Sequence, residues 1–144
     1  MSDEQRSAYR PRFEIVAHTA DWAIRVWGDD LAHLLVSAAY GMSSLLVDDL
    51  DALPLQEERR ITVDGFDRES VLVEWLSELA YLAERDGLVF RQFDVDKATP
   101  EIVHATVKGA RVSEMHKHIK AVTYHNLAVK ESGGGLETEI VFDV

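Results

Sequence analysis

Residues 121–144 read AVTYHNLAVKESGGGLETEIVFDV. Gly133, Gly134 and Gly135 separate two apolar-rich runs, Ala121 to Lys130 and Leu136 to Val144. Consecutive glycines supply the backbone freedom of a tight turn, so the stretch predicts a β-hairpin. A phosphate-binding loop would need a helix and a lysine after its glycines, and neither follows. In the second arm, Ile140 and Phe142 fall on one face and Val141 and Asp143 on the other, because side chains alternate along a strand. That arm closes on an apolar residue with no polar tail, so the end of the chain is expected to be held down.

Working upstream, Leu88–Val95 and Ile102–Gly109 carry strand composition. Before them, Val71, Leu72, Trp75, Leu76, Leu79, Ala80, Leu82 and Ala83 recur at helical spacing, with Asp67 placed to cap the start and Gly87 to stop the end. Residues 57–63 read as a strand. Leu31, Leu34, Leu35, Ala38, Ala39, Met42, Leu45 and Leu46 mark an earlier helix opened by Asp29 or Asp30. Alternation over residues 13–18 and 22–27 predicts two strands interrupted around Thr19 to Asp21. Two helices cannot cover both faces of a parallel sheet. The pattern therefore predicts an α+β fold, a single compact domain with two helices packed on a largely antiparallel or mixed β-sheet. Its expected extent is residues 13–144, behind a polar, flexible lead over residues 1–12.

The chain has 144 residues with 15 Lys and Arg against 26 Asp and Glu, a formal charge of −11. Such a surface repels phosphate backbones, so no strong direct nucleic-acid binding is expected. The absence of cysteine excludes disulfide frameworks, thiolate metal sites and cysteine nucleophiles. No apolar run is long enough to span a bilayer and the lead lacks a secretory pattern, so no membrane association and a cytoplasmic location are expected.

Chemistry is carried by few residues. Asp143 and the α-carboxylate of Val144 offer up to four oxygen donors at adjacent positions, and a third carboxylate would complete a cage for calcium, magnesium or manganese. Asp21, in the His18-Thr19-Ala20-Asp21 stretch, becomes such a ligand only if the first strands pair with the last; otherwise Thr19 and Asp21 are turn formers. His116, Lys117 and His118 invite a zinc reading, but an exposed polar turn explains them more cheaply. Lys120 and the tryptophans read first as solvated and packed residues, respectively.

Three separated stretches together resemble the archease family: His-Thr-Ala-Asp at 18–21, Ile-Lys-Ala-Val-Thr-Tyr-His at 119–125, and Val-Phe-Asp-Val at 141–144. Ala-Ala-Tyr-Gly-Met at 38–42 and Val-Glu-Trp-Leu-Ser-Glu-Leu-Ala-Tyr-Leu at 73–82 look like the family's two helices. The resemblance implies that Asp21, Asp143 and Val144 form a divalent-metal site, calcium being the ion usually associated with the family. It implies no catalytic residue in this chain. The implied role is that of an accessory protein for the GTP-dependent tRNA-splicing RNA ligase that joins a 3′-phosphate or cyclic phosphate to a 5′-hydroxyl, promoting its guanylylation and repeated turnover. His18, Lys120 and His125 match the motifs and are read as supporting or partner-facing. The chain departs from the family around Ser113 to Ile119, where a longer loop is common, and at Trp22, where smaller aliphatic residues are common. Two other readings stand beside this one: a metal-dependent phosphoester hydrolase in its own right, and a chaperone-like interaction domain.

Overall fold

Helix α1 (Leu31–Ser44) is buried from His33 through Ala39 without a break, and again at Gly41, Met42 and Ser43. A helix apolar or small on every side needs cover on every side. In the computed structural model, which describes residues 10–17, 22–124 and 126–144, that cover comes from two separate β-sheets.

The first sheet packs on one side of α1. It has the order β1 (Arg12–Ala17), β2 (Trp22–Gly28), β8 (Gly135–Asp143) and β6 (Ala121–Val122), with β7 (Lys130–Ser132) also paired to β8. The second has the order β3 (Glu57–Asp64), β5 (Ile102–Arg111) and β4 (Leu88–Ala98). Every pairing is antiparallel. Helix α2 (Arg68–Asp86) lies beside α1 and against the second sheet, so the helices fill the space between the two sheets and share one core with both. The fold is α+β with an antiparallel sheet, as the sequence predicts; the division of that sheet in two is the structure's addition.

Local chemistry accounts for the helix boundaries. Asp30 caps α1 by accepting the His33 N–H at 2.8 Å. Asp67 accepts the Ser70 N–H at 2.7 Å while Ser70 Oγ accepts the Asp67 N–H at 3.1 Å, a reciprocal cap that satisfies two otherwise orphaned donors. Gly87 ends α2 in the left-handed region at φ 67°, where a Cβ would be strained. The two helices are tied by the buried Trp75 indole N–H, which donates to the Leu35 carbonyl at 2.9 Å.

The hairpin forms with Gly133 and Gly134 at positive φ, which a side chain would oppose. Its first arm differs from the expected strand over 121–130. Among its described residues only Ala121–Val122 and Lys130–Ser132 pair with β8 in the ladder; between them the chain makes a turn, where Asn126 has φ 55° and the Leu127 N–H donates to the Tyr124 carbonyl at 3.0 Å. Of the expected lead over 1–12, residues 1–9 lie outside the described residues, and Arg12 begins β1. No helix among the described residues is long and apolar enough to cross a membrane.

Candidate functional site at the end of β8

Strand β8 is held on both edges. Along one, Ala23 pairs with Val141 and Trp22 with Phe142. Along the other, Ala121 pairs with Asp143 and Val122 with Phe142. The Lys120 N–H donates to the Asp143 carbonyl at 2.7 Å, and the Thr123 N–H to the Val141 carbonyl at 3.1 Å. Ile140 and Phe142 are fully buried, whereas Asp143 is exposed on the outer face, as alternation predicts. Val144 is half-buried against the core, which holds the end of the chain in place. The Asp143 carboxyl therefore stands on a strand end held along both edges.

Of the other expected site residues, Asp21, His18 and His125 lie outside the described residues. What is described is the register beside them: Trp22, the chain neighbour of Asp21, pairs with Phe142, the chain neighbour of Asp143. Lys120 is exposed, and among the described residues only its backbone is engaged. Hard oxygen donors throughout make the expected set of Asp21, Asp143 and the α-carboxylate of Val144 chemically suited to a hard divalent cation. Among the described residues no three His, Cys, Asp or Glu side chains gather closely enough to hold a metal. The His-x-His pair diverges: His116 meets Asp48 beyond α1, and His118 Nδ1 meets Glu84 of α2 at 3.0 Å. Among the described residues that divergence favours the polar turn over a zinc site.

Two features beside the strand end escaped the sequence. Lys117 Nζ lies 4.0 Å from the centre of the Trp22 ring, in the range of a cation–π contact. Nothing in the spacing of residues so far apart announces it. Thr123 Oγ1 is buried without a hydrogen-bond partner among the described residues, a state that costs free energy unless another group satisfies it. Farther along the same segment, burial first and then the charges of Glu74 and Asp67 push the Tyr124 hydroxyl pKa above its ordinary value.

The sequence model of the Archease protein family matches residues 13–144. The archease protein of Methanopyrus kandleri is 37% identical over 92% of this chain and 99% of its own length. That of Methanosarcina mazei is 31% identical over 92% and 96%. Among solved structures, protein 1598 of Methanobacterium thermoautotrophicum superposes with a TM-score of 0.76 at 26% identity, over 92% of this chain and 98% of that one. An archease from Thermotoga maritima, described as a possible chaperone, shares the fold with a TM-score of 0.66 at 23% identity, over 94% and 98%.

Proposed function

The chain belongs to the archease family, and from that premise we propose that it is an accessory protein which activates a GTP-dependent tRNA-splicing RNA ligase, promoting guanylylation and multiple turnover. The proposed agent is a divalent ion, calcium in the first instance, held by Asp21, Asp143 and the α-carboxylate of Val144. The observation that carries the reading is the exposed Asp143 carboxyl at a strand end hydrogen-bonded on both edges, one residue beyond the Trp22–Phe142 pair. When bound, such an ion supplies neutralisation of the gathered carboxylates and open positions for oxygen ligands.

The chain's own part is presentation. Pairing with β2 and β6 fixes the direction of Asp143, and the exposed Lys120 offers a cation next to it for contact with the partner. His18 and His125 are assigned the same supporting role from their motifs. With a formal charge of −11, the molecule is drawn to a basic RNA-binding cleft and the encounter is weakened by salt. Activation further requires that the chain bind one state of the ligase more tightly than the other, since equal affinity shifts nothing. The nucleotide chemistry belongs to the ligase; the chain itself is assigned no catalytic step.

The test is multiple-turnover ligation with limiting ligase and three forms of this protein: intact, Asp143→Ala, and intact with several residues appended after Val144. The intact form should accelerate turnover, and both altered forms should lose about tenfold or more of that effect, the scale of loss when a metal site is disturbed. No acceleration by the intact form rejects the activator role. Equal acceleration by all three rejects the terminal metal site and favours a chaperone-like docking role.

A further inference from the structure

A hydrophobic residue just before a helix cap commonly folds back onto the first turn and is buried there. Phe66 holds that position before the Asp67 cap, and Val71, the residue it would meet, is fully buried. Yet Phe66 is 79% exposed, so its ring does not act as that staple. Tyr124, which opens the turn between β6 and β7, is 52% exposed. The segment carrying Tyr124 is tied to α2 on both sides of that residue: β6 packs on the helix, and Val129 bonds to its first turn, next to Phe66. Glu69 accepts the Val129 N–H at 3.3 Å, and Arg68 donates to the Val129 carbonyl at 3.3 Å. The charges of Glu74 and Asp67 are felt at the Tyr124 hydroxyl, and Glu74 is exposed on the helix.

We propose that Phe66, Asp67, Glu74 and Tyr124 form a docking site for an arginine-bearing segment of a protein partner. Exposed aromatic faces beside carboxylates match a guanidinium, which stacks on rings and pairs with carboxylates in the same pose. A lysine ammonium is more strongly hydrated and fits less well. Phosphate-rich ligands are repelled by Asp67 and Glu74. The surface is continuous with the end of β8, since the segment leading to Tyr124 begins at Lys120, whose N–H is bonded to Asp143. A partner seated here would meet the strand-end carboxylates as well. The inference rests on the proposed function for the identity of the partner, the RNA ligase, but not for the chemistry that the site recognises.

Two arms test it. In the first, amide NMR spectra of the whole chain are recorded with an acetylated, amidated peptide carrying two arginines, and with the same peptide carrying two lysines. The arginine peptide should shift the amides of residues 66–68, 74 and 124 and bind several-fold more tightly than the lysine peptide. Equal binding by both, or shifts scattered over the acidic surface, overturns the proposal. In the second, ligase affinity is measured for Phe66→Ser and Glu74→Gln, both exposed positions whose substitution leaves the core untouched. Each should weaken association by about tenfold, the usual loss at an interface anchor, with calcium affinity unchanged. Wild-type affinity in both variants also overturns it. A ligase that does not bind the wild-type chain defeats the proposed function, and the peptide arm then decides the docking chemistry alone.

Discussion

At Gly109 the chain leaves no space for a side chain. A Cβ there would stand 1.9 Å from the Val89 carbonyl oxygen and 2.6 Å from the Phe90 Cα, both backbone atoms. Strand β5 is the middle of its sheet, with Gly109 opposite Glu57 on one side and Phe90 on the other, so it cannot retreat without breaking a ladder. Gly109→Ala should therefore cost about 3 kcal/mol, the upper end for overpacking, read as a fall in the urea midpoint. A midpoint within error of the wild type would show that β4, whose register against β5 shifts between Phe90 and Gln92, absorbs the methyl. Tyr124 gives a second test at this scale. Its raised pKa means that the folded state keeps the phenol proton to higher pH than the unfolded chain does. The associated stability is complete below the ordinary tyrosine pKa and is lost as pH rises through the folded value. Glu74→Gln removes one of the charges opposing tyrosinate, so the Tyr124 titration midpoint, followed by ring carbon NMR, should fall towards the ordinary value. It should fall only part of the way, because burial is the larger cause and remains. At this scale the sequence was informative for Asp143, whose outward direction follows from the two-residue period of a strand. It was silent on Phe66, whose exposure depends on what the tertiary structure leaves uncovered.

Among the elements, α1 is where helix propensity and packing oppose each other. Gly41 lies inside the helix, where replacement by alanine gains about 1 kcal/mol of propensity. A Cβ at that site would meet Ile24 Cδ1 at 3.0 Å and Phe13 Cγ at 3.1 Å, side-chain atoms of the first sheet. Ile24 is fully buried and cannot swing away, so a steric cost of roughly 1–3 kcal/mol exceeds the gain. Gly41→Ala should destabilise by about 1 kcal/mol net, with the denaturant slope unchanged; a stabilised variant would mean that the sheet yields more readily than the helix benefits. The helix ends were legible because caps are local: Asp30, Asp67 and Gly87 act within a turn of where they stand. The run over 121–130 was not, because its interruption is upheld from outside the run. The Thr138 hydroxyl donates to the Ala128 carbonyl at 2.9 Å, and Arg68 and Glu69 hold Val129. Those partners satisfy backbone groups that a continuous strand would have paired with β8, and no local periodicity reports them.

For the whole molecule, the apolar pattern announced two helices and an antiparallel sheet but not that the helices lie between two sheets. The residues that make this possible, Ser37, Ala38, Ala39, Gly41 and Ser43, are small rather than strongly apolar, and their meaning depends on what approaches them. The same arrangement makes β8 a long-range tie: it joins the end of the chain to β2 near its beginning. An ion bound at that end would therefore couple to global stability. Its effect must be separated from that of charge, because a chain of formal charge −11 is relieved by any added cation. Sodium chloride should raise the Tm modestly in the wild type and in Asp143→Ala alike. On the proposed assignment, calcium at a hundred times its Kd should add about 2.7 kcal/mol beyond a sodium chloride control of equal ionic strength. For a chain of this size that corresponds to roughly 5–10 °C in Tm. The increment should disappear in Asp143→Ala and be reversed by a chelator in the wild type. An equal calcium increment in both forms would assign it to screening of the acidic surface and remove Asp143 from the ligand set.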